Sequence, residues 1–179
     1  KKKKKQGGRP TLTADWSYDE KRGRFLLDLK QDVPKIDGVS DGAPRVIPVA
    51  FGLLDKDGNE VVSETIHLDS AAEQYAYFVP KGCTPSLLRN FSAPVSLKAD
   101  YSSDELLFLA KNDTDMFNRW SAIQMLLERE LVSGVKVAQN GKTYNADPRI
   151  AQLFETILGD ASLDDEVKAL MLNIPSTAI

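Results

Sequence analysis

The stretch Ala99-Asp100-Tyr101-Ser102-Ser103-Asp104-Glu105-Leu106-Leu107-Phe108-Leu109 decides the fold, because the hydropathy period changes within it from two to about 3.6. Ser102 and Glu105 have the spacing of a capping box, in which hydroxyl and carboxylate satisfy the free N–H groups of a first helical turn. Everything upstream reads as strand and everything downstream as helix. The predicted organisation is therefore residues 1–9 as a tag or linker, 10–101 as a β domain, and 102–179 as the start of a helical domain. The fold class expected is mainly β plus α.

Moving upstream, short period-two segments are separated by turn residues. Leu12, Ala14 and Trp16 alternate with Thr11, Thr13 and Asp15, and Phe25, Leu27 and Leu29 are set off by Arg24, Asp28 and Lys30. Val46 to Leu54 is almost continuously apolar, as a central strand covered on both faces would be, and it runs into the hairpin signal Asp55-Lys56-Asp57-Gly58-Asn59. Candidates at 61–68, 73–79, 86–91 and 95–99 bring the count to seven. Seven short strands, read as antiparallel, in about ninety residues point to an Ig-like β-sandwich, without the Cys-Trp-Cys core of antibody domains.

Downstream, a second helix is expected from near Asp113 to about Val132, with Met116, Trp120, Ile123, Leu127 and Leu131 on one stripe. A third starts at Asp147-Pro148, buries Ile150, Leu153, Phe154, Ile157 and Leu158, and stops at Gly159. A fourth runs from about Leu163 to Leu172. Val135 to Tyr144, with Asn140-Gly141, reads as a loop or small hairpin. Amphipathic helices in series suggest a solenoid-like segment, and no polar closing helix precedes Ile179, so a truncated array is expected.

Composition excludes several classes of function. The 179 residues are 42% hydrophobic and 27% charged, with one Cys and one His. That is a soluble globular composition. The run Lys1 to Lys5 reads as an added placeholder, ahead of a solvated natural tail or a functional basic patch. Without those five, 18 Lys and Arg stand against 26 Asp and Glu, a net of −8. An acidic body does not fit nucleic acid or an anionic membrane. No apolar stretch approaches the roughly 20 residues that span a bilayer. The single Cys83 permits no internal disulfide, which fits a reducing compartment.

The chemistry available is thin. One His and one Cys cannot supply H-E-x-x-H or C-x-x-C zinc sites. His67 reads as a surface or edge histidine, and a small enzyme using it with Asp69 has little in its favour. Cys83 is expected to be an ordinary loop thiol, since a nucleophile needs a base beside it. Asp104-Glu105 and Asp164-Asp165-Glu166 sit where acids complement a helix dipole. At Asp55 to Asn59 the turn reading outweighs an ion site. The most distinctive feature is Phe117-Asn118-Arg119-Trp120. It reads first as a packed helix whose Arg119 pairs with an acid or carbonyl at the seam between the two parts, and second as a ligand-contacting Arg–aromatic cluster.

The blocks Gly8-Arg9-Pro10-Thr11-Leu12, Ile47-Pro48-Val49-Ala50-Phe51-Gly52-Leu53, Leu88-Arg89-Asn90-Phe91-Ser92-Ala93-Pro94-Val95 and Phe117-Asn118-Arg119-Trp120 resemble, in order and spacing, the region downstream of the catalytic domain in the bacterial M1 zinc aminopeptidases. The resemblance runs from about Gly8 to the end. It implies a noncatalytic spacer that positions a helical cap over the catalytic domain, in a cytoplasmic bacterial enzyme removing amino-terminal residues from peptides. The implied partners are the catalytic domain and the rest of the helical domain of the same parent, with peptides as the parent's substrates. Zinc belongs to the parent by the same implication. The family's zinc helix, its G-x-M-E-N segment and its catalytic Tyr have no counterpart in this sequence, so no catalytic, metal-binding or substrate-binding residue is expected. The residues singled out are structural, at the domain seam: Tyr101, Phe117, Arg119 and Trp120.

The competing reading is a free-standing Ig-like module that binds protein or carbohydrate. Truncation predicts exposed apolar residues on the last helix, at Val167, Leu170 and Met171. A binding module predicts exposed aromatics on strands, at Tyr75 and Tyr77.

Overall fold

A computed structural model describes residues 8–37 and 40–175; the Lys1 to Lys5 run lies outside them. The chain divides into two compact units, Lys1–Asp100 and Tyr101–Ile179.

Among the described residues the first unit contains seven strands in two sheets: β1 (Thr11–Asp19), β2 (Arg24–Asp32), β3 (Ile47–Leu54), β4 (Glu60–Leu68), β5 (Ala72–Tyr77), β6 (Thr84–Leu87) and β7 (Ser96–Ala99). One sheet has the order β5-β2-β1-β7 and the other β4-β3-β6. Alternation places Leu12, Ala14, Phe25, Leu27 and Leu29 of one sheet and Ile47, Val49, Phe51 and Leu53 of the other in the core, all essentially inaccessible to solvent. The Phe51 and Tyr77 rings meet edge-on at 5.3 Å between centroids, joining β3 to β5 across the two sheets.

Buried Gln31 closes one end of this sandwich. Its amide nitrogen donates to the carbonyls of Arg45 and Ser70, each at 2.8 Å, and its amide oxygen accepts from the Arg45 N–H at 2.8 Å. One side chain thereby satisfies backbone groups on two separate loops that would otherwise be unpaired.

Three expectations are corrected in this unit. β7 pairs with β1 in parallel (Thr11 opposite Ser96, Ala14 opposite Ala99), not antiparallel, because it arrives at the sheet edge by a long connection and not by a hairpin. The segment expected as a strand over 86–91 ends at Leu87 and turns into a short 3₁₀ element, Arg89–Phe91. Leu88, Asn90 and Phe91 there take φ of 56°, 53° and 51°, which no residue carrying a Cβ continues as a strand. The outer face of β3 is only partly covered: Pro48 and Ala50 are half-buried, and Gly52 is buried beneath a charged side chain described below.

The second unit contains α1 (Ser103–Asn112), α2 (Met116–Gln139), α3 (Pro148–Gly159) and α4 (Asp165–Met171). Each starts on an oxygen-bearing cap. Ser102 and Glu105 form the expected capping box, Asp115 accepts from Asn118 N–H at 2.9 Å, Asp147 from Arg149 N–H at 3.0 Å and Asp164 from Val167 N–H at 2.8 Å. The core is Leu106 and Leu109 of α1, Ala122, Ile123, Leu126 and Leu127 of α2, Leu153 and Ile157 of α3, with Met171 of α4.

Here too the structure departs from expectation. Val135 lies inside α2, which runs to Gln139, so 135–144 is not a hairpin but the helix end and its returning loop. Three valines, at 132, 135 and 137, lower helix propensity without preventing the helix. Gly134 has a positive use: a Cβ there would lie 3.3 Å from the Tyr144 ring, which folds back over it. Of the third-helix residues expected to be buried, Leu153 and Ile157 are, Ile150 and Phe154 are half-buried, and Leu158 is exposed.

Candidate functional site

His67 stands exposed on β4, opposite Pro48 of β3. Cys83 is buried, and its thiol donates to the Pro80 carbonyl at 3.1 Å. Burial, followed by the charge of Asp55, pushes that thiol up, away from the thiolate a nucleophile needs. Asp55 is consumed by its turn, accepting from the N–H groups of Asp57 and Asn59 at 2.9 Å and from the Asn59 side chain. Among the described residues no three His, Cys, Asp or Glu side chains come together to hold a metal. The donor set therefore does not fit zinc, and no zinc-dependent step is assigned to these residues.

The polar constellation best built into the sandwich is Arg89, 7% exposed, lying across β3 at Gly52. Its Nε donates to Ser86 Oγ at 2.9 Å and its guanidinium pairs with the Glu60 carboxylate. A Cβ at Gly52 would lie 2.4 Å from the guanidinium carbon, so only glycine leaves room for it. Sequence reasoning missed this group: Arg89 stood inside a recognisable block, but nothing in that block announces a buried charge.

Tyr75 and Tyr77, the aromatics a binding module would display, are partly covered and tied to carboxylates. Tyr75 Oη donates to Glu73 at 2.9 Å and Tyr77 Oη to Glu64. Burial and then the neighbouring carboxylate push the Tyr75 hydroxyl up to about 12, and push Tyr77 up as well.

In the helical unit, Tyr101 is buried, and Phe117 and Trp120 of α2 stack at 5.4 Å between ring centroids. Arg119 Nε donates to the Ala110 carbonyl at 3.1 Å, near the end of α1, and its Nη2 lies 3.9 Å from Asp160 after α3. Arg119 thus ties three helical segments of one unit together through a carbonyl and an acid. Arg149, beside its cap Asp147, also bonds Asp104 at the start of α1.

Several half-buried carboxylates are held below the usual aspartate range: Asp55 by Asn59, Asp147 by Arg149, and Asp160 by Ser162. Such groups bind protons less readily folded than unfolded. Their contribution is complete above the unfolded value and is lost as pH falls through the lower folded one. Urea midpoints are expected to hold from pH 7 to about 4 and to fall below that, less steeply at high ionic strength. An Asp147→Asn variant is expected to flatten part of the fall.

Comparison with known proteins places this arrangement. A family profile described as a domain of unknown function (DUF3458) with an Ig-like fold matches residues 8–100, and a second, DUF3458_C, described as ARM repeats, matches 103–179. The aminopeptidase N of Haemophilus influenzae (strain ATCC 51907 / DSM 11121 / KW20 / Rd) is 30% identical over 179 residues, covering 95% of this chain and 21% of its own length. That of Caulobacter vibrioides (strain ATCC 19089 / CIP 103742 / CB 15) is 34% identical over 173 residues, covering 96% and 20%. The crystal structure of Legionella pneumophila aminopeptidase A in complex with aspartic acid superposes with a TM-score of 0.79 at 29% identity, over 94% of this chain and 19% of that one. The chain spans about a fifth of the length of these relatives.

Proposed function

Because the chain belongs to the DUF3458 family, an Ig-like domain followed by ARM repeats, we propose that it is the noncatalytic spacer segment of a bacterial M1 zinc aminopeptidase. One observation carries the reading: relatives named aminopeptidase N match nearly all of this chain with only a fifth of their own length. Catalysis would then reside in the remaining four-fifths, with zinc activating water and polarising the scissile carbonyl. This chain's share is mechanical. The sandwich sets the spacing between catalytic domain and helical cap, and the residues Tyr101, Phe117, Arg119 and Trp120 hold the start of that cap in shape. The parent's substrates would be peptides with free amino termini, and its compartment the bacterial cytoplasm.

Two observations support the spacer over the free-standing module. Tyr75 and Tyr77 are engaged by carboxylates, and Leu170 of α4 is exposed. The pattern on α4 is narrower than truncation predicts, since Val167 is half-buried and Met171 fully buried.

The purified 179-residue chain is expected to give a cooperative unfolding transition, to release no amino acid from aminoacyl-amide substrates, and to carry no stoichiometric zinc after exposure to the metal. Chelator-sensitive hydrolysis that co-purifies quantitatively with the chain would overturn the proposal.

A further inference from the structure

The chain carries seven asparagines, and Asn140 alone among them is followed by glycine. We propose that Asn140-Gly141 is a site of self-modification by deamidation, and that the change releases the C-terminal turn of α2 in one direction only. The inference stands independently of the aminopeptidase reading.

The pair supplies the chemistry. The backbone nitrogen of Gly141 attacks the side-chain carbonyl carbon of Asn140; a C–N bond forms, the Cγ–Nδ2 bond breaks, and ammonia leaves with the proton taken from the Gly141 N–H. Solvent water then opens the succinimide at either carbonyl, giving aspartate or isoaspartate at position 140 with no change of oxidation state. Asparagine is thermolabile by this route, and glycine is the successor that obstructs it least, having no Cβ beside the attacking nitrogen. The surroundings are open as well: Asn140 is exposed, Gly141 has a φ of 68°, and nothing lies within 4 Å of where its Cβ would stand.

The same pair closes the helix. Asn140 Nδ2 donates to the Lys136 carbonyl at 2.8 Å, the Gly141 N–H to that of Ala138 at 2.9 Å and the Lys142 N–H to that of Val137 at 3.2 Å. Residues 140–142 thereby satisfy carbonyls that the end of a helix otherwise leaves without intrahelical partners. Because the Gly141 N–H is engaged, attack proceeds from the frayed state of the last turn. Afterwards the turn no longer closes as before. The new carboxylate has no hydrogen to give Lys136, faces its carbonyl oxygen, and adds negative charge at the negative end of the helix. The isoaspartyl product also adds a methylene to the backbone, which displaces the Gly141 and Lys142 donors. The disturbance is bounded, since Tyr144 Oη and the Asp147 N–H donate to Glu130 at 2.5 and 3.1 Å and keep the returning loop tied beyond it.

The test joins peptide mapping by mass spectrometry, on the gene product incubated at mildly alkaline pH, to hydrogen exchange. Exchange is read both on an Asn140→Asp variant and on the modified wild type separated by charge, so the result stands even if the variant fails to fold. Acid forms, isoaspartate among them, are expected to accumulate at position 140 before any of the other six asparagines. The amides of residues 138–143 are then expected to exchange on the order of fivefold faster, while the buried segment 122–127 keeps its protection. Modification at position 140 no faster than at the other asparagines overturns the site. Unchanged exchange at 138–143 in the modified protein overturns the release of the helix end.

Discussion

Replacing Phe51 with alanine is expected to cost about 3–5 kcal/mol, the usual range for deleting a buried aromatic. Phe51 is 1% exposed, lies at the centre of β3 opposite both Glu64 and Leu87, and packs edge-on against Tyr77. Typical domain stability is about 5–15 kcal/mol, so the sandwich should lose a large part of its margin. Urea denaturation followed by circular dichroism measures the loss. In the full-length parent the proposed spacer role predicts that the same substitution lowers the amount of folded enzyme and leaves kcat per folded molecule unchanged, because that role gives the sandwich no part in the reaction. A lowered kcat with unchanged stability would contradict the mechanical role.

Arg89→Met is expected to destabilise by about 2–3 kcal/mol. The substitution takes one partner each from Glu60 and Ser86, next to a glycine whose environment was shaped around a guanidinium. The figure sits below the range for a fully buried pair, because the Glu60 side chain is 29% exposed and water can reach it. Arg89 also anchors a turn in which Leu88, Asn90 and Phe91 hold left-handed backbone, a conformation worth about 1–3 kcal/mol of strain per residue. A double-mutant cycle with Glu60→Gln isolates the pair, and a coupling of about 1 kcal/mol or more is expected. Additive effects would show that the arginine's contribution does not come from its pairing with Glu60.

The parts of this fold that could be read beforehand are those set by local chemistry. Period-two alternation at Leu12 and Ala14 and at Phe25, Leu27 and Leu29 specified strands with one buried face. Ser102 with Glu105, and Asp147 before Pro148, marked helix starts because caps are local hydrogen bonds. What could not be read depends on distant chain. The parallel entry of β7 beside β1 is a matter of where the strand arrives, and its composition is silent on direction. The extension of α2 through Val132, Val135 and Val137 runs against propensity and is supported by a ring that returns from Tyr144. The left-handed turn at 88–91 contains no glycine to announce it. Arg119 reads in the sequence as a charge paired with an acid or carbonyl at a seam between the two parts; the partners it has, the Ala110 carbonyl and Asp160, both belong to the helical unit. The family was legible only through the order of several blocks, and a purely chemical reading would have stopped at a sandwich followed by helices.

The proposed spacer role gives the chain no activity of its own to assay, so the central claim is tested by the company the chain keeps. The most direct measurement is to raise an antibody against this chain, recover the reactive species from an extract of the native cells, and determine both its mass and its chelator-sensitive release of amino-terminal residues. The account predicts a single polypeptide roughly five times the mass of this 19.8 kDa chain, with that activity. A species of the chain's own mass without aminopeptidase activity would contradict it.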